Sequence, residues 1–482
     1  MSAEAASSMA VRGTAAEPKL QRELRLPQVF MQSLGTIAPA ASLIFTIQLM
    51  AQYAGLSSVL ALVIGGLVMV MAAVSISDLA RREPSSAGYY AYVTESIGPR
   101  WGLGTAWMEL IYMVAAALNA GFISEIIENQ LKSNYSFNLP WQVTFVVIIV
   151  ATRFLVWRGV KLTGKALIVL GSIELSVLLI LGLWGFADPG HGGVQASTAF
   201  STTVPKGGDF ALAVVFAIFF YAGWEGAAPV AEETQNPRRN IPIAMIGSLV
   251  LLLVVFVISV WGTMVGWGTD RLASFASAVA LPNFTLVHQW WHGAWIILLL
   301  VLLNSVVCFA LCGTLVATRM MYGMSRVGVM PSWLNSLDPR FGTPHRAIAV
   351  ELVIALVVGF VMGTIFGPPE AFFIYGLAAT LLYIAVYIVG NAGVMLFFLR
   401  KARQDFNVIK HVVFPIVSAA GLVYVFYKTV HPFPAYPVGA GVWWALGWAL
   451  FGVILAVVFG NRARGKSLLP EGEEGAEEAR IS

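Results

Sequence analysis

The sequence predicts an all-α membrane protein of about twelve transmembrane helices. Three observations carry this. Of 482 residues, 58% are hydrophobic and only 11% charged, with a mean hydropathy of +0.78; a soluble globular chain carries roughly 25% charged residues. Apolar runs of about 20 residues, enough to cross a bilayer, recur along the whole length. Lys and Arg gather at alternate ends of those runs. An outer-membrane barrel would show alternating segments of about ten residues instead.

Residues 1–26 are polar, Ala/Ser-rich and without the apolar core of a signal peptide. They predict a disordered cytoplasmic tail. The twelve-helix body covers 27–460, with spans near 30–54, 56–80, 101–127, 140–157, 166–187, 210–232, 241–267, 294–318, 347–366, 371–399, 410–428 and 438–460. The run from Asp78 to Tyr92 is too polar to span and predicts a cytoplasmic amphipathic helix. Residues 461–482 turn acidic (Glu471, Glu473, Glu474, Glu477, Glu478) and predict a second disordered cytoplasmic tail.

With the N-terminus inside, 25 of the 29 Lys and Arg fall on inside segments; only Lys132, Lys206, Arg271 and Lys428 fall outside. Cationic loops stay cytoplasmic, so this split predicts a multi-pass protein of the plasma membrane (cell inner membrane) with both termini in the cytoplasm. It also accounts for the pI near 9.0 without a nucleic-acid partner. Cys308 and Cys312 lie four apart on one helix face with no nearby His or carboxylate, which is no zinc site. The six His fall in loops or at span ends. No catalytic cluster, metal site or cofactor motif is present, so the chain reads as a non-enzyme. The absence of a Walker-type loop argues against direct ATP drive.

Two spans carry matched Gly/Pro interruptions. The first holds Gly35-Thr36-Ile37-Ala38-Pro39-Ala40-Ala41, and the sixth holds Ala222-Gly223-Trp224-Glu225-Gly226-Ala227-Ala228-Pro229. Pro removes a donor and breaks the preceding turn, and Gly permits unusual dihedrals. Freed N–H groups attract an anion; freed carbonyls attract a cation. Such paired breaks mark binding sites in secondary transporters. Spans one and six would head two five-helix repeats, about 30–187 and 210–399, inverted because five is odd. Two extra helices over 410–460 follow.

At these residues the chain resembles the amino acid–polyamine–organocation transporters. The resemblance lies in Phe219-Phe220-Tyr221-Ala222-Gly223-Trp224-Glu225 with Ala231-Glu232-Glu233-Thr234-Gln235-Asn236-Pro237 after it, in Arg319 to Pro331, and in Glu83-Pro84-Ser85-Ser86-Ala87-Gly88-Tyr89-Tyr90. It implies a LeuT-like fold of two inverted repeats, alternating access and an amino acid or amine substrate. Carried over, the N–H groups of Ala40, Ala41 and Ser42 would hold the substrate carboxylate. The carbonyls of Thr36, Ile37 and Ala222 would hold its ammonium, and Phe219 would be an aromatic gate. The sequence departs from the family twice. Pro39-Ala40-Ala41 stands where Gly-Ser-Gly is common, which allows the substrate to sit differently or to be an amine. Glu174 stands where many relatives carry a lysine that takes the place of a coupling sodium ion.

Glu109, Glu174 and Glu225 fall inside spans, where a charge is costly and by default functional. Glu174 lies roughly 12 Å deep, with Asn304 and Ser305 in reach by the resemblance. It is a candidate proton site or cation ligand, or else a hydrogen-bonded structural group. Glu225 gates or links the broken helices, or satisfies freed N–H groups. Glu109 fits helix packing, and Trp224 can stack on a substrate. The resulting expectation is a permease for amino acids, coupled to H+, with Na+ the other candidate ion. An amino acid/amine or polyamine exchanger and a substrate-sensing receptor on the same scaffold are the alternatives. The substrate and the oligomeric state are not set by the sequence.

Overall fold

The computed structural model describes residues 20–278 and 281–463. Most of the tails expected over 1–26 and 461–482 lies outside them. Leu24, within the first, is buried and donates its N–H to Glu233 O at 2.9 Å. Among the described residues no strand forms beyond an isolated bridge between Leu24 and Thr234.

The helices are α1 (Leu26–Ile37), α2 (Pro39–Ala54), α3 (Ser58–Arg82), α4 (Tyr89–Ser96), α5 (Pro99–Glu109), α6 (Tyr112–Tyr135), α7 (Trp141–Trp157), α8 (Val160–Ala187) and α9 (Ala196–Ala199). The second part of the chain holds α10 (Phe210–Phe219), α11 (Pro237–Trp267), α12 (Leu272–Ala276), α13 (Pro282–Trp291), α14 (Ile296–Arg326), α15 (His345–Phe366), α16 (Pro368–Arg400), α17 (Phe414–Val430) and α18 (Ala440–Phe459). Ten helical stretches among the described residues are long and apolar enough to cross a membrane; Leu26–Arg82 counts as one of them, and Trp141–Trp157 is apolar but shorter. Local chemistry fixes several starts. Pro in the first turn of α2, α5, α11, α13 and α16 costs no helical hydrogen bond. Asp209 caps α10 by accepting from Leu212 N at 3.1 Å.

Three elements differ from the sequence reading. α8 starts at Val160, six residues before the expected 166. Lys161 and Lys165 lie inside it yet stay exposed, because long cationic stems extend along apolar surface to reach water. The expected amphipathic helix from Asp78 to Tyr92 does not form. α3 continues to Arg82, and α4 starts only at Tyr89 with Tyr89 to Val93 buried against α5 and α16. The charged part of the run thus closes α3, and its Tyr-rich end packs as an aromatic core. The stretch expected to be the sixth span is α-helical only to Phe219. After a turn it continues as a 3-10 segment, Trp224–Glu233, and such a stretch within a span commonly marks a hinge or strain.

α8 packs tightly on α11 through small residues. A Cβ on Gly182 would stand 2.6 Å from Ile258 O, so neither helix tolerates a larger side chain there. α7 and α15 are joined by Arg153 and Glu351, 2% and 0% exposed, with bonds of 2.8 and 2.5 Å. Removing one partner of such a pair strands a buried charge. Glu351→Ala should therefore cost roughly 3–5 kcal/mol, read from thermal unfolding in detergent. An Arg153→Met, Glu351→Met double variant should recover most of that loss; a double variant as unstable as the single one would show that the pair itself holds the helices.

Candidate functional site

The first break is one residue long. α1 ends at Ile37, Ala38 adopts the left-handed region (φ 53°, ψ 66°), and α2 starts at Pro39. Pro39 disfavours helical geometry at the residue before it and supplies no N–H. The second break follows α10, where Gly223 takes φ 102°. The two breaks touch. A Cβ on Gly223 would lie 2.5 Å from Thr36 O, so only glycine lets these backbones meet. Ser33 Oγ donates to Trp224 O at 2.5 Å, and Gln32 Nε2 to Gly226 O at 3.2 Å. The broken elements run antiparallel. Leu24, before α1, bonds to Glu233 at the end of the 3-10 segment, whereas Asp209, before α10, donates to Tyr53 O near the end of α2 at 3.0 Å.

Buried carboxylates meet the freed backbone. Glu174, 1% exposed on α8, accepts from Ala40 N at 2.7 Å, and Ser305 Oγ accepts from Ala41 N at 3.2 Å. Asn304 turns elsewhere and donates to Leu170 O at 2.9 Å. Ser42 closes the end: its hydroxyl donates to Ile37 O at 2.8 Å and its N–H to Ala38 O at 2.9 Å. At the second break Glu225, also 1% exposed, accepts from Tyr112 OH at 2.9 Å and Tyr387 OH at 2.6 Å. Tyr387 in turn accepts from Gly223 N at 3.1 Å. Trp224 is buried beside the Tyr387 ring, with centroids 5.7 Å apart. Glu109 is 1% exposed, and neither of its oxygens has a protein hydrogen-bond partner among the described residues.

A cavity of about 620 Å³ opens beside the breaks. Of the residues expected to bind substrate, Thr36, Ile37, Ala38, Ala41, Ser42, Phe219 and Ala222 line it. Pro39, Ala40, Gly223, Trp224 and Glu225 are not among the lining residues, nor are Glu174, Asn304 and Ser305. Sequence reasoning missed much of the wall: Phe45, Phe122, Phe309, Phe372, Tyr375 and Tyr383. The one available signal was Tyr383 and Tyr387 at i, i+4 in an apolar run, which puts two hydroxyls on one helix face. No Asp, Glu, Lys, Arg or His lines the cavity among the described residues.

The family model for amino acid permeases matches residues 28–461. The chain belongs to the amino acid permease family. The permease is 24% identical over 431 residues to the glutamate/serine transporter AimA of Bacillus subtilis, covering 80% of this chain and 73% of that one. It is 26% identical over 360 residues to cationic amino acid transporter 5 of Arabidopsis thaliana, covering 72% and 61%. It is 22% identical over 475 residues to the branched-chain amino acid permease BcaP of Lactococcus lactis, covering 90% and 93%.

In this permease the three loop stretches that carried the sequence resemblance meet at one place. Arg319 makes a bidentate pair with Glu233, both bonds 2.9 Å and both side chains buried. Arg326 pairs with Glu232 at 2.6 and 3.1 Å. Glu232 also accepts from Ser86 N at 2.9 Å. This cluster lies at the Leu24–Thr234 end, away from the Gln48, Gln52 and Thr429 end of the cavity.

Gly223→Ala should destabilise the permease by roughly 2–4 kcal/mol, combining left-handed strain with a clash on Thr36. Gly447→Ala, whose Cβ would meet nothing within 4 Å, should leave thermal unfolding unchanged. Equal effects at both positions would show that the breaks are not in contact.

Proposed function

We propose that this permease carries neutral amino acids with bulky apolar side chains across the plasma membrane by alternating access, coupled to protons through Glu174. The observation that carries the substrate class is the cavity wall. It is built mainly of Phe, Tyr and aliphatic residues, with uncharged polar groups such as Asn119, Gln48 and Gln52 among them, and offers no charged side chain. A Lys, Arg or Glu side chain entering it would be desolvated without a counter-charge, which costs several kcal/mol. Phe45, Phe122, Phe309 and Phe372 instead offer the apolar surface on which a branched or aromatic side chain is favoured. The branched-chain substrates in the name of the Lactococcus relative agree with such a wall. Glutamate and the cationic substrates in the names of the other two would need a counter-charge.

The fold reading behind this has twelve spans. Leu26–Arg82 crosses twice, with its turn at Gly55–Ser57, and Trp141–Trp157 crosses as a short helix. The antiparallel run of the two broken elements supports a pair of inverted five-helix repeats, followed by α17 and α18. Both termini are cytoplasmic by the placement of Lys and Arg. In that orientation the ion pairs Glu232–Arg326 and Glu233–Arg319 close the cytoplasmic side, and the cavity opens outward. Thr36, Ile37 and Ala222 present carbonyls to a substrate ammonium, and Phe219 closes over it. Glu174 takes up and releases the coupling proton, with Ser305 beside it.

The test is uptake of labelled amino acids into proteoliposomes, with and without an inward proton gradient. Leucine, methionine and phenylalanine should accumulate, with lysine, arginine and glutamate at least roughly tenfold below them. Gradient-driven accumulation should vanish in Glu174→Gln. Uptake only into preloaded vesicles would make the permease an exchanger. Uptake indifferent to side-chain charge would overturn the substrate class.

A further inference from the structure

The first helix break already holds a carboxyl group of the protein's own. α2 starts at Pro39, which has no N–H, so the first donors at its positive end are those of Ala40 and Ala41. Ala40 donates to Glu174 Oε1 at 2.7 Å and Ala41 to Ser305 Oγ at 3.2 Å. The next N–H, that of Ser42, is spent on Ala38 O at 2.9 Å. No donor at this end is left over. Ala38, Ala41 and Ser42 line the cavity, while Glu174 lies buried behind them. The donors therefore lie next to the cavity wall, bonded to a buried Glu174 and Ser305 that are not part of the lining.

An amino acid entering the cavity brings a second carboxylate to the same helix start. The two anions repel, and the second finds no free N–H. We propose that Glu174 competes with the ligand carboxylate for the N–H groups at this helix start, directly at Ala40 and through Ser305 at Ala41, so that a carboxylate-bearing ligand binds only as Glu174 takes up a proton. A neutral carboxylic acid is a weaker acceptor than a carboxylate by roughly half. Protonated Glu174 can turn towards Ser305 and release the Ala40 N–H. Proton and ligand then bind together because the proton neutralises the carboxylate that the ligand replaces at this helix start, with no distant relay. A ligand lacking a carboxylate has no use for those donors and binds without the proton.

The surroundings leave Glu174 as the charge that changes. α1 and α2 carry no acidic or basic side chain. α14 faces Glu174 with Ser305 and the thiols of Cys308 and Cys312. Arg153 of α7 is committed to Glu351. The charged residues of α11, Arg238 and Arg239, lie in its first turn, and Lys161 and Lys165 lie near the start of α8.

The inference rests on the reading that the cavity takes an amino acid, and the experiment separates the two. The purified full-length permease is titrated calorimetrically with leucine and with 3-methylbutylamine, its counterpart without the carboxylate. Titrations are run near pH 5.5 and near pH 8, in two buffers of different ionisation heat. Leucine affinity should fall at least roughly tenfold towards high pH, with about one proton taken up per leucine near pH 8. Glu174→Gln and Glu174→Ala should bind leucine near pH 8 at least roughly tenfold tighter than the natural protein, without proton uptake. The amine should show no such gain, and its binding reports that the variants are folded. Leucine binding that is indifferent to pH and to both substitutions would overturn the competition while leaving the cavity reading intact. Binding of the amine by every form and of leucine by none would show that the Ala40 and Ala41 N–H groups receive no ligand carboxylate even with Glu174 removed, and would overturn it too. If neither ligand binds any form, the competition and the reading it rests on fall together.

Discussion

Backbone groups freed inside an apolar medium have to be satisfied by the protein itself, and the rest of this site follows from that constraint. Breaking α1 at Ala38 and α10 after Phe219 releases N–H and C=O groups where no lipid can receive them. The structure answers with side chains drawn from distant elements. Glu174 and Ser305 receive the start of α2, Tyr387 receives Gly223, and Ser33 and Gln32 donate to carbonyls of the facing segment. Each answer requires the partner helix to sit at one height. Gly223 makes that height reachable by letting the Thr36 backbone come close. The breaks and the helices around them are therefore one unit.

The same economy explains the loop stretches. Ser86, Glu232, Glu233, Arg319 and Arg326 lie far apart in the chain and converge on one cluster of bonds. Glu233 and Arg319 are almost wholly buried and satisfy each other in two places. Arg326 is 26% exposed on its side chain, so its pair with Glu232 is screened by water and contributes less. The cluster thus grades from a dry inner pair to a wetter outer one. Separating it exposes charges to water, which offsets much of the lost attraction.

That the chain is all-helical, with many stretches long and apolar enough to cross a membrane, was legible from hydropathy, because a bilayer sets a length that composition must meet. The breaks at Ala38 and Gly223 were legible because Pro and Gly act on their own neighbours. Glu174 stood out because a carboxylate in a span has few reasons to be there. What it touches was only half visible. Ser305 lies beside it, but Asn304, one residue away, faces Leu170 O instead, since adjacent residues on a helix point about 100° apart. The aromatic wall was not legible. Phe45, Phe122, Phe372 and Tyr383 come from three helices, and an aromatic facing a cavity reads like one facing lipid. α4 was misread for a related reason: Tyr89, Tyr90 and Tyr92 count as polar by their hydroxyls, yet their rings are buried.

The packing of α8 decides how Glu174 can move. Gly182 meets Ile258 O on α11, and on the α1 side Gly171 lies where a Cβ would stand 3.0 Å from Met31 Sδ. A helix clamped through glycines on two neighbours cannot withdraw its carboxylate by shifting along its axis, because close-packed contacts resist sliding. Any change in the bond to Ala40 must then come from the Glu174 side chain alone, through its few rotamers. Side-chain rotation is fast and local, whereas moving α1 against the facing 3-10 segment would break the bonds of Ser33 and Gln32. The charge on Glu174 can thus change what the start of α2 offers to the cavity while the contact between the two broken helices stays in place.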